Sequence, residues 1–178
     1  GNPSQLVAAD IGAGTGISSR LLAERGVRVI AIEPNAAMRE AASPHALVEF
    51  HNGTAEATNL PDASVDLVTC FQSFHWFNPE PTLLEFRRLL KPTGRLAVVW
   101  NNRDCDLVNR DEGDRIGKAN RKDEFTQNYT RLVQIASNNH PAELRHSEDF
   151  LLATPLFPEV NCHTFTYRQE LDLDGLIG

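Results

Sequence analysis

Asp10-Ile11-Gly12-Ala13-Gly14-Thr15-Gly16 is the stretch that decides the fold of this chain. It lies between a buried-strand pattern, Leu6-Val-Ala-Ala, and an amphipathic helix pattern that runs from Ile17 to Arg25. Glycine lets the backbone turn tightly, adopt positive φ and approach a ligand that a Cβ would hold away. A strand, three close glycines and a helix therefore predict a turn that holds a nucleotide-type cofactor, although three glycines can also simply form a tight turn.

The spacing of the glycines discriminates between cofactors. A dinucleotide-binding turn has the pattern Gly-x-Gly-x-x-Gly, which requires glycine at the position of Ile17. The third glycine is instead Gly16, and Asp10 precedes the first. This pattern resembles the first motif of class I S-adenosylmethionine-dependent methyltransferases. The resemblance implies that Gly12, Gly14 and Gly16 lie against the methionine and ribose parts of S-adenosylmethionine, and that Asp10 receives its ammonium group directly or through water.

Size, charge and cysteine content limit the classes of function. The chain has 178 residues and a formal net charge of −7, which fits a single domain over residues 1–178 with a sizeable core. Its basic residues are scattered, which argues against a nucleic-acid partner. Three distant cysteines favour a reducing cytoplasm over a disulfide framework. Neither a signal-peptide pattern nor an apolar run of about 18 residues is visible, so we expect no membrane span and a cytoplasmic location.

Strand and helix patterns alternate along the first hundred residues. They predict an α/β fold, a Rossmann-like doubly wound and mostly parallel sheet with helices on both faces. Five strands are predicted over residues 6–11, 27–32, 47–51, 65–71 and 95–100, and helices over residues 17–25, 34–42 and 78–90. Lys91-Pro-Thr-Gly94 is predicted to be a turn, residues 104–124 an exposed loop, residues 125–135 a helix and Val160 to Leu171 a further strand.

Two acidic positions follow the second and third predicted strands. Glu33 ends the second strand, where a carboxylate can accept both ribose hydroxyl hydrogens, or it is an ordinary solvated acid. Gly53-Thr-Ala-Glu56 resembles the adenine-side segment of the methyltransferase family. The resemblance implies that the backbone at Ala55 and the side chain of Glu56 meet the adenine edge. Glu56 is equally well interpreted as an acid in the first turn of a helix.

The segment after the fourth strand, Phe71-Gln-Ser-Phe-His-Trp-Phe77, carries a second resemblance. It is similar to the Gln-Ser-x-His-Trp stretch of small-molecule methyltransferases near the ubiquinone and trans-aconitate enzymes. The resemblance implies that Gln72 faces the methionine part of the cofactor. Trp76 packs on the adenine or against the sulfonium, unless it belongs to the core with its aromatic neighbours. His75 acts as a general base or orients the substrate, or it is a structural histidine.

Outside these motifs, the sequence offers one candidate substrate contact and no pattern typical of a metal site or a serine nucleophile. Arg103 follows the fifth strand, where its forked donors suit a carboxylate-bearing substrate, or it pairs with Asp104 or Asp106. The remaining histidines and the cysteines lack metal-ligand spacing, and no Gly-x-Ser-x-Gly pattern occurs, so we expect neither a metal site nor a serine nucleophile.

The resemblance covers about residues 5 to 103 and has two departures. Methyltransferases of this class usually have a helix before the first strand and a seventh strand, whereas this chain begins almost at the first strand and shows six. We expect either a fragment truncated at both ends or a seventh strand that comes from elsewhere. A missing seventh strand would leave an unpaired sheet edge that invites a homodimer. We expect S-adenosylmethionine-dependent methylation of a small molecule, on oxygen or carbon and with carboxylates among the candidate acceptors, by in-line displacement. The alternatives are a non-catalytic S-adenosylmethionine-binding module and, less favoured because of Ile17, a nicotinamide-dependent oxidoreductase.

Overall fold

In the part of the chain that the structure describes, five parallel strands form one sheet. The computed structural model describes residues 2–101, 151 and 154–165. Its strands are β1 (Val7–Ile11), β2 (Arg28–Ile32), β3 (Val48–His51), β4 (Val65–Phe71) and β5 (Leu90–Val99), and its helices are α1 (Ile17–Ala23), α2 (Ala36–Glu40) and α3 (Pro79–Leu89). Short 3₁₀ turns occupy Pro3–Gln5 and Phe74–Trp76. The predicted Rossmann-like α/β fold is confirmed for this part of the chain.

The order of the strands creates a crevice. In space the order is β3-β2-β1-β4-β5, and every neighbouring pair is parallel. The chain therefore leaves β1 toward β2 and β3, then returns to place β4 on the other side of β1. Open parallel sheets bind ligands at the carboxyl ends of the strands where the order reverses in this way. The glycine turn after β1 and the segment after β4 consequently meet at one edge.

Apolar side chains cover both faces of the sheet. Successive residues of a strand point to opposite faces, and accordingly Ala8 packs in a small cluster with Ala23 of α1, whereas Ala9 belongs to the larger cluster. The larger cluster lies under α3 and includes its three buried apolar residues, Leu83, Phe86 and Leu89. Helices on both faces thus hold the central strands away from water, which keeps the positions of their carboxyl ends fixed.

The second helix begins later than the sequence predicts. Pro34 was expected in its first turn, but α2 begins at Ala36 and its N-cap is Asn35. The Asn35 side chain accepts a hydrogen bond from the Ala37 N–H at 3.0 Å. Asn35 has an extended backbone, with φ −78° and ψ 112°, so the helix begins only after it and the prediction that Pro34 lies in the first turn is wrong.

The predicted turn at residues 91–94 lies inside β5. Leu90 pairs with Val65 and Arg95 pairs with Leu67, so the intervening residues of β5 form an irregularity opposite a single residue of β4. The Lys91 ammonium anchors it by donating to both carboxylate oxygens of Asp66 at 2.9 Å. Helix α3 therefore passes directly into strand pairing at Leu90, and the turn becomes a bulge.

The later part of the chain allows fewer comparisons. Of the strand predicted over Val160 to Leu171, residues 160–165 are described and form no strand. Val160 and Phe165 are exposed, and the apolar alternation that suggested a strand is therefore not used to cover a core. Residues 166–171, the predicted loop 104–124 and the predicted helix 125–135 lie outside the described residues. Within the described ranges, no helix has the length and apolarity needed to cross a bilayer.

Candidate cofactor site

The three glycines of the turn share one backbone conformation but have different surroundings. Gly12, Gly14 and Gly16 have φ values of 69°, 57° and 76°, the left-handed region that strains other residues. A Cβ on Gly12 would lie 2.7 Å from the Cβ of Ser73, and one on Gly16 would lie 2.6 Å from Cζ of Phe50. A Cβ on Gly14 would meet no atom of the described residues within 4 Å. Gly12 and Gly16 therefore allow close packing, whereas Gly14 leaves its backbone open to a ligand.

Strand β2 holds the glycine turn in shape. The N–H groups of Gly12 and Ala13 donate to the carbonyl oxygen of Ile32, at 2.9 and 3.1 Å. The Gly14 N–H donates to Oε2 of Glu33 at 3.0 Å, and the Asn35 N–H donates to Oε1 at 2.9 Å. Three donors from the turn thus bond to the last residue of β2 and the residue after it.

Glu33 is buried and held in place by backbone N–H groups. Its exposed fraction is 9%, so it is not an ordinary solvated acid. Two backbone N–H groups orient its carboxylate beside the open space at Gly14. An ionised carboxylate has about four acceptor sites, so both oxygens retain capacity for hydroxyl donors.

Asp10 lies deeper than its predicted role requires. Only 1% of its surface is exposed. Its Oδ2 accepts from the hydroxyls of Ser18 at 2.8 Å and Ser19 at 2.6 Å, and its Oδ1 accepts from Thr69 at 2.9 Å. Burial raises the pKa of Asp10, although these hydroxyls act to lower it. Asp10 therefore joins the start of α1 to β1 and β4, and its burial restricts direct access by an ammonium group.

Gln72 and Ser73 follow β4 directly, at the crevice where the strand order reverses. Gln72 is exposed and has φ 55°, and its N–H donates to the carbonyl of Val99 at 2.9 Å. Such strain in a residue other than glycine often marks a functional position. Ser73 is buried, and its hydroxyl donates to the carbonyl of Ile11 at 2.7 Å. Sequence reasoning missed Ser73; its place two residues beyond β4, next to Gln72 at the strand reversal, is the signal that points to it.

The aromatic residues of this segment divide into two groups. Phe74 is buried and makes edge contacts with Phe77 and Trp100, at ring-centroid distances of 6.1 and 6.4 Å. Trp76 is 66% exposed, so it is not part of the core. The ring of His75 lies 5.0 Å from that of Trp76. Burial lowers the pKa of His75, which favours the neutral imidazole at pH 7, a form able to accept a proton.

Glu56 lies in the segment between β3 and β4 and bonds to the beginning of α3. Its Oε1 accepts from the Asn78 N–H at 3.1 Å and from the Thr82 hydroxyl at 3.4 Å. Burial acts to raise the pKa of Glu56, but the hydrogen bonds outweigh it and lower the pKa. The Asn78 side chain makes no capping bond, so Glu56 supplies the cap from another segment. Glu56 itself lies in no helix, so its interpretation as an acid in the first turn of a helix is wrong, and it bonds instead to the start of a helix that lies later in the chain. Ala55 beside it is buried in the larger cluster.

Two further expectations concern acceptor and metal chemistry. Arg103, predicted to contact a carboxylate-bearing substrate, lies outside the described residues together with Asp104 and Asp106. Among the residues that the structure describes, no three His, Cys, Asp or Glu side chains are grouped so as to hold a metal ion. The described candidate residues therefore all lie between Asp10 and Trp76.

Residues 9–98 match the family described as "Methyltransferase domain", a region just over half the length of the chain. The chain belongs to this methyltransferase family. An uncharacterized methyltransferase of Mycobacterium tuberculosis (strain ATCC 25618 / H37Rv) is 44% identical over 98 residues, which cover 53% of this chain and 40% of the relative. A ubiquinone/menaquinone biosynthesis C-methyltransferase of Rubrivivax gelatinosus is 40% identical over 95 residues, which cover 51% and 37% of the two chains.

Solved methyltransferase structures share this fold. A putative type II methyltransferase from Anaeromyxobacter dehalogenans is 30% identical, with a TM-score of 0.60, covering 88% of this chain and 61% of the other. An Aquifex aeolicus enzyme described as SAM dependent is 26% identical, with a TM-score of 0.53, covering 58% and 62%. This chain spans about 40% of the length of the curated relatives that it matches. The matched region nevertheless contains every described candidate residue.

Proposed function

We propose that this chain binds S-adenosylmethionine in the crevice at the carboxyl ends of β1, β2 and β4, and that its protein methylates a small molecule. The observation that carries the proposal is the pairing of Gly14 with Glu33. A left-handed glycine with open space at its α-carbon donates its N–H to a buried carboxylate that has acceptor capacity left. Membership of the methyltransferase family supports this ligand over a nicotinamide dinucleotide.

The residues present fit the three parts of this cofactor. Glu33 can accept the ribose hydroxyls, and the Gly14 backbone and the Gln72 side chain border the space for the methionine part. We assign the adenine edge to the backbone at Ala55, and the adenine face or the sulfonium cation to the ring of Trp76, which is 66% exposed. When bound, S-adenosylmethionine supplies an electrophilic methyl group with a good leaving group. The protein then needs chiefly to align the acceptor and exclude water.

The acceptor in this proposal is a small molecule methylated on oxygen or carbon. His75 follows β4 beside the crevice, is half-buried, and has a pKa lowered by burial. A neutral imidazole there can take the proton from a hydroxyl or an acidic C–H group as the nucleophile forms. Arg103 would suit an acceptor that carries a carboxylate. The similarity to a protein named as a C-methyltransferase supports carbon as an acceptor atom.

A pair of glycine variants tests the binding site. Gly14→Ala and Gly26→Ala introduce the same methyl group at left-handed positions, with φ 57° and 87°, where no atom in the described part of the chain lies closer than 3.8 Å. Both should lose about 1–2 kcal/mol of stability from backbone strain. Gly26 follows α1 near Pro3 and Ser4, away from the crevice, and serves as the matched control. In calorimetry with S-adenosylmethionine, we expect weaker binding only for Gly14→Ala.

Glu33→Gln tests the ribose contact. The amide keeps one acceptor oxygen and loses the charge, so we expect a rise in Kd of about tenfold or more, the value of one hydrogen bond to a charged group. Unchanged affinity in both Glu33→Gln and Gly14→Ala, or tighter binding of NAD than of S-adenosylmethionine, would overturn the proposal. Binding without product from a panel of carboxylate, phenol and quinone-like acceptors, tested on the full-length protein, would assign the non-catalytic binding module.

A further inference from the structure

The loop between β3 and β4, residues 52–64, is fastened along the whole of α3. Near its start, Glu56 caps the first turn of α3. At its end, the N–H groups of Ala63 and Ser64 donate to the carbonyl oxygens of Arg88 and Leu89, both at 2.9 Å. We call residues 52–64 the β3–β4 loop. A side chain of α3 holds the middle of this loop, and that contact is not part of the candidate cofactor site.

Glu85 makes that central contact. It is 9% exposed, and its Oε1 accepts from the N–H of Thr58 at 2.9 Å and from the Thr58 hydroxyl at 2.6 Å. Arg88 donates to both carboxylate oxygens, from Nε at 2.7 Å and Nη2 at 2.8 Å, and also donates to Asp62 of the loop. Burial acts to raise the pKa of Glu85, but these hydrogen bonds lower it to about 2. The carboxylate is therefore ionised, and its bonds to Thr58 are charge-assisted.

The position of Thr58 connects this contact to the crevice. Thr58 is fully buried and lies three residues after Ala55, the residue whose backbone is proposed to meet the adenine. Helix α3 also follows directly after the 3₁₀ turn Phe74–Trp76. One helix thus supports two segments of the candidate site, and Glu85 lies at the middle of that support without reaching the crevice itself.

We propose that Glu85 is a positioning residue that orders the β3–β4 loop for the adenine before any ligand binds. The inference rests on the proposed function. If Glu85 is removed, the loop must be ordered at the expense of binding free energy, because fixing backbone residues costs conformational entropy. The apparent Kd then rises in inverse proportion to the fraction of molecules with an ordered loop.

The chain offers a matched control for this experiment. Asp66 is also a partly buried carboxylate that bonds to a distant backbone N–H, that of Val7 at 3.0 Å, and to a cation, Lys91. It lies near the amino end of β4, at the sheet edge opposite the crevice. Asp66→Asn and Glu85→Gln each replace a carboxylate that joins two segments by an amide, which weakens its hydrogen bonds. Only Glu85 joins segments of the candidate site.

The test combines calorimetry with hydrogen exchange on three variants. With S-adenosylhomocysteine as the probe, Glu85→Gln should raise Kd about tenfold if the ordered fraction falls to about a tenth. Thr58→Val, which deletes one hydroxyl, should give a smaller rise. Amides of residues 54–60 should exchange faster in Glu85→Gln and recover protection at saturating ligand. Asp66→Asn should lower the melting temperature while leaving both Kd and this exchange unchanged.

The outcomes separate two failures. No binding of the probe by the wild type overturns the proposed function. Binding by the wild type, with an unchanged Kd in Glu85→Gln or an equal rise in Asp66→Asn, overturns the positioning role alone. If Glu85→Gln does not fold, Thr58→Val decides, because an unchanged Kd in that variant also overturns the inference.

Discussion

Gln72 combines a strained backbone with an exposed side chain at the edge of the crevice. Glycine at this position would remove the strain and also delete the amide group. We predict that Gln72→Gly is at least as stable as the wild type but binds S-adenosylmethionine more weakly. Gln72→Ala should show the same loss of affinity without the gain in stability, because alanine keeps the cost of the left-handed conformation.

The magnitudes follow from the φ value of 55°. A residue with a Cβ pays about 1–2 kcal/mol in the left-handed region. Glycine loses more entropy on folding, which returns about 0.4–1 kcal/mol of that gain. The net stabilisation is therefore about 0.5–1 kcal/mol, a rise in Tm of about 1–4 °C for a chain of this size. Loss of one neutral hydrogen bond to the ligand corresponds to a rise in Kd of about two- to tenfold.

Urea unfolding and calorimetry measure the two effects separately. Ala63→Gly is the matched control, since Ala63 has φ 47° and its methyl side chain offers no polar contact. It should gain stability with no change in Kd. A stability loss above about 1 kcal/mol in Gln72→Gly would refute the strain argument. An unchanged Kd in both Gln72 variants would refute the ligand contact.

Three further predictions follow from the described contacts. The pKa of Glu85 is lowered from 4.5 to about 2, so its contribution to stability is complete above about pH 4.5 and is lost as the pH falls toward 2. Urea titrations across this window should show a smaller acid-dependent loss of stability in Glu85→Gln than in the wild type. An equal loss of stability would contradict the lowered pKa of Glu85. Gly16→Ala should lose about 2–4 kcal/mol of stability, from backbone strain together with a Cβ 2.6 Å from Cζ of Phe50. Adding Phe50→Leu should restore part of this stability. No recovery in the double variant would argue against a steric cause. Burial lowers the pKa of His75 below 6.5, so turnover by the full-length protein should rise with pH around a midpoint below pH 6.5 and then level off. His75→Ala should lose this rise. An unaltered pH profile in the variant would exclude proton transfer by His75.

The sheet was predictable from local patterns, while its irregularities were not. Strands such as Val65–Phe71 are apolar runs bounded by turn residues, and parallel strands covered on both faces produce that pattern. The bulge at residues 91–94 depends on the contact between Lys91 and Asp66, 25 residues apart in the chain. A Pro-Thr-Gly sequence reads as a turn unless such a distant partner is known.

The same division between local and distant contacts applies to the candidate site. The sequence places glycines at positions 12, 14 and 16, but among the described residues Ser73 and Phe50 fill the surroundings of Gly12 and Gly16, whereas none approaches Gly14. The role of Glu56 could not be decided from the sequence, since its partner, the Asn78 N–H, lies 22 residues later. Whether each side chain contacts a ligand is a prediction that the binding experiments test.

The glycine turn acquires its shape from residues that are synthesised later. Its N–H groups bond to the carbonyl of Ile32 and to the carboxylate of Glu33, which lies 19 residues after Gly14. A nascent chain that has emerged only as far as α1 therefore contains the glycine motif without the hydrogen bonds that hold the turn in shape. A slip of β2 by one residue against β1 would likewise keep every motif residue in the sequence, yet it would turn the side chains of β2 to the opposite face and dismantle the crevice.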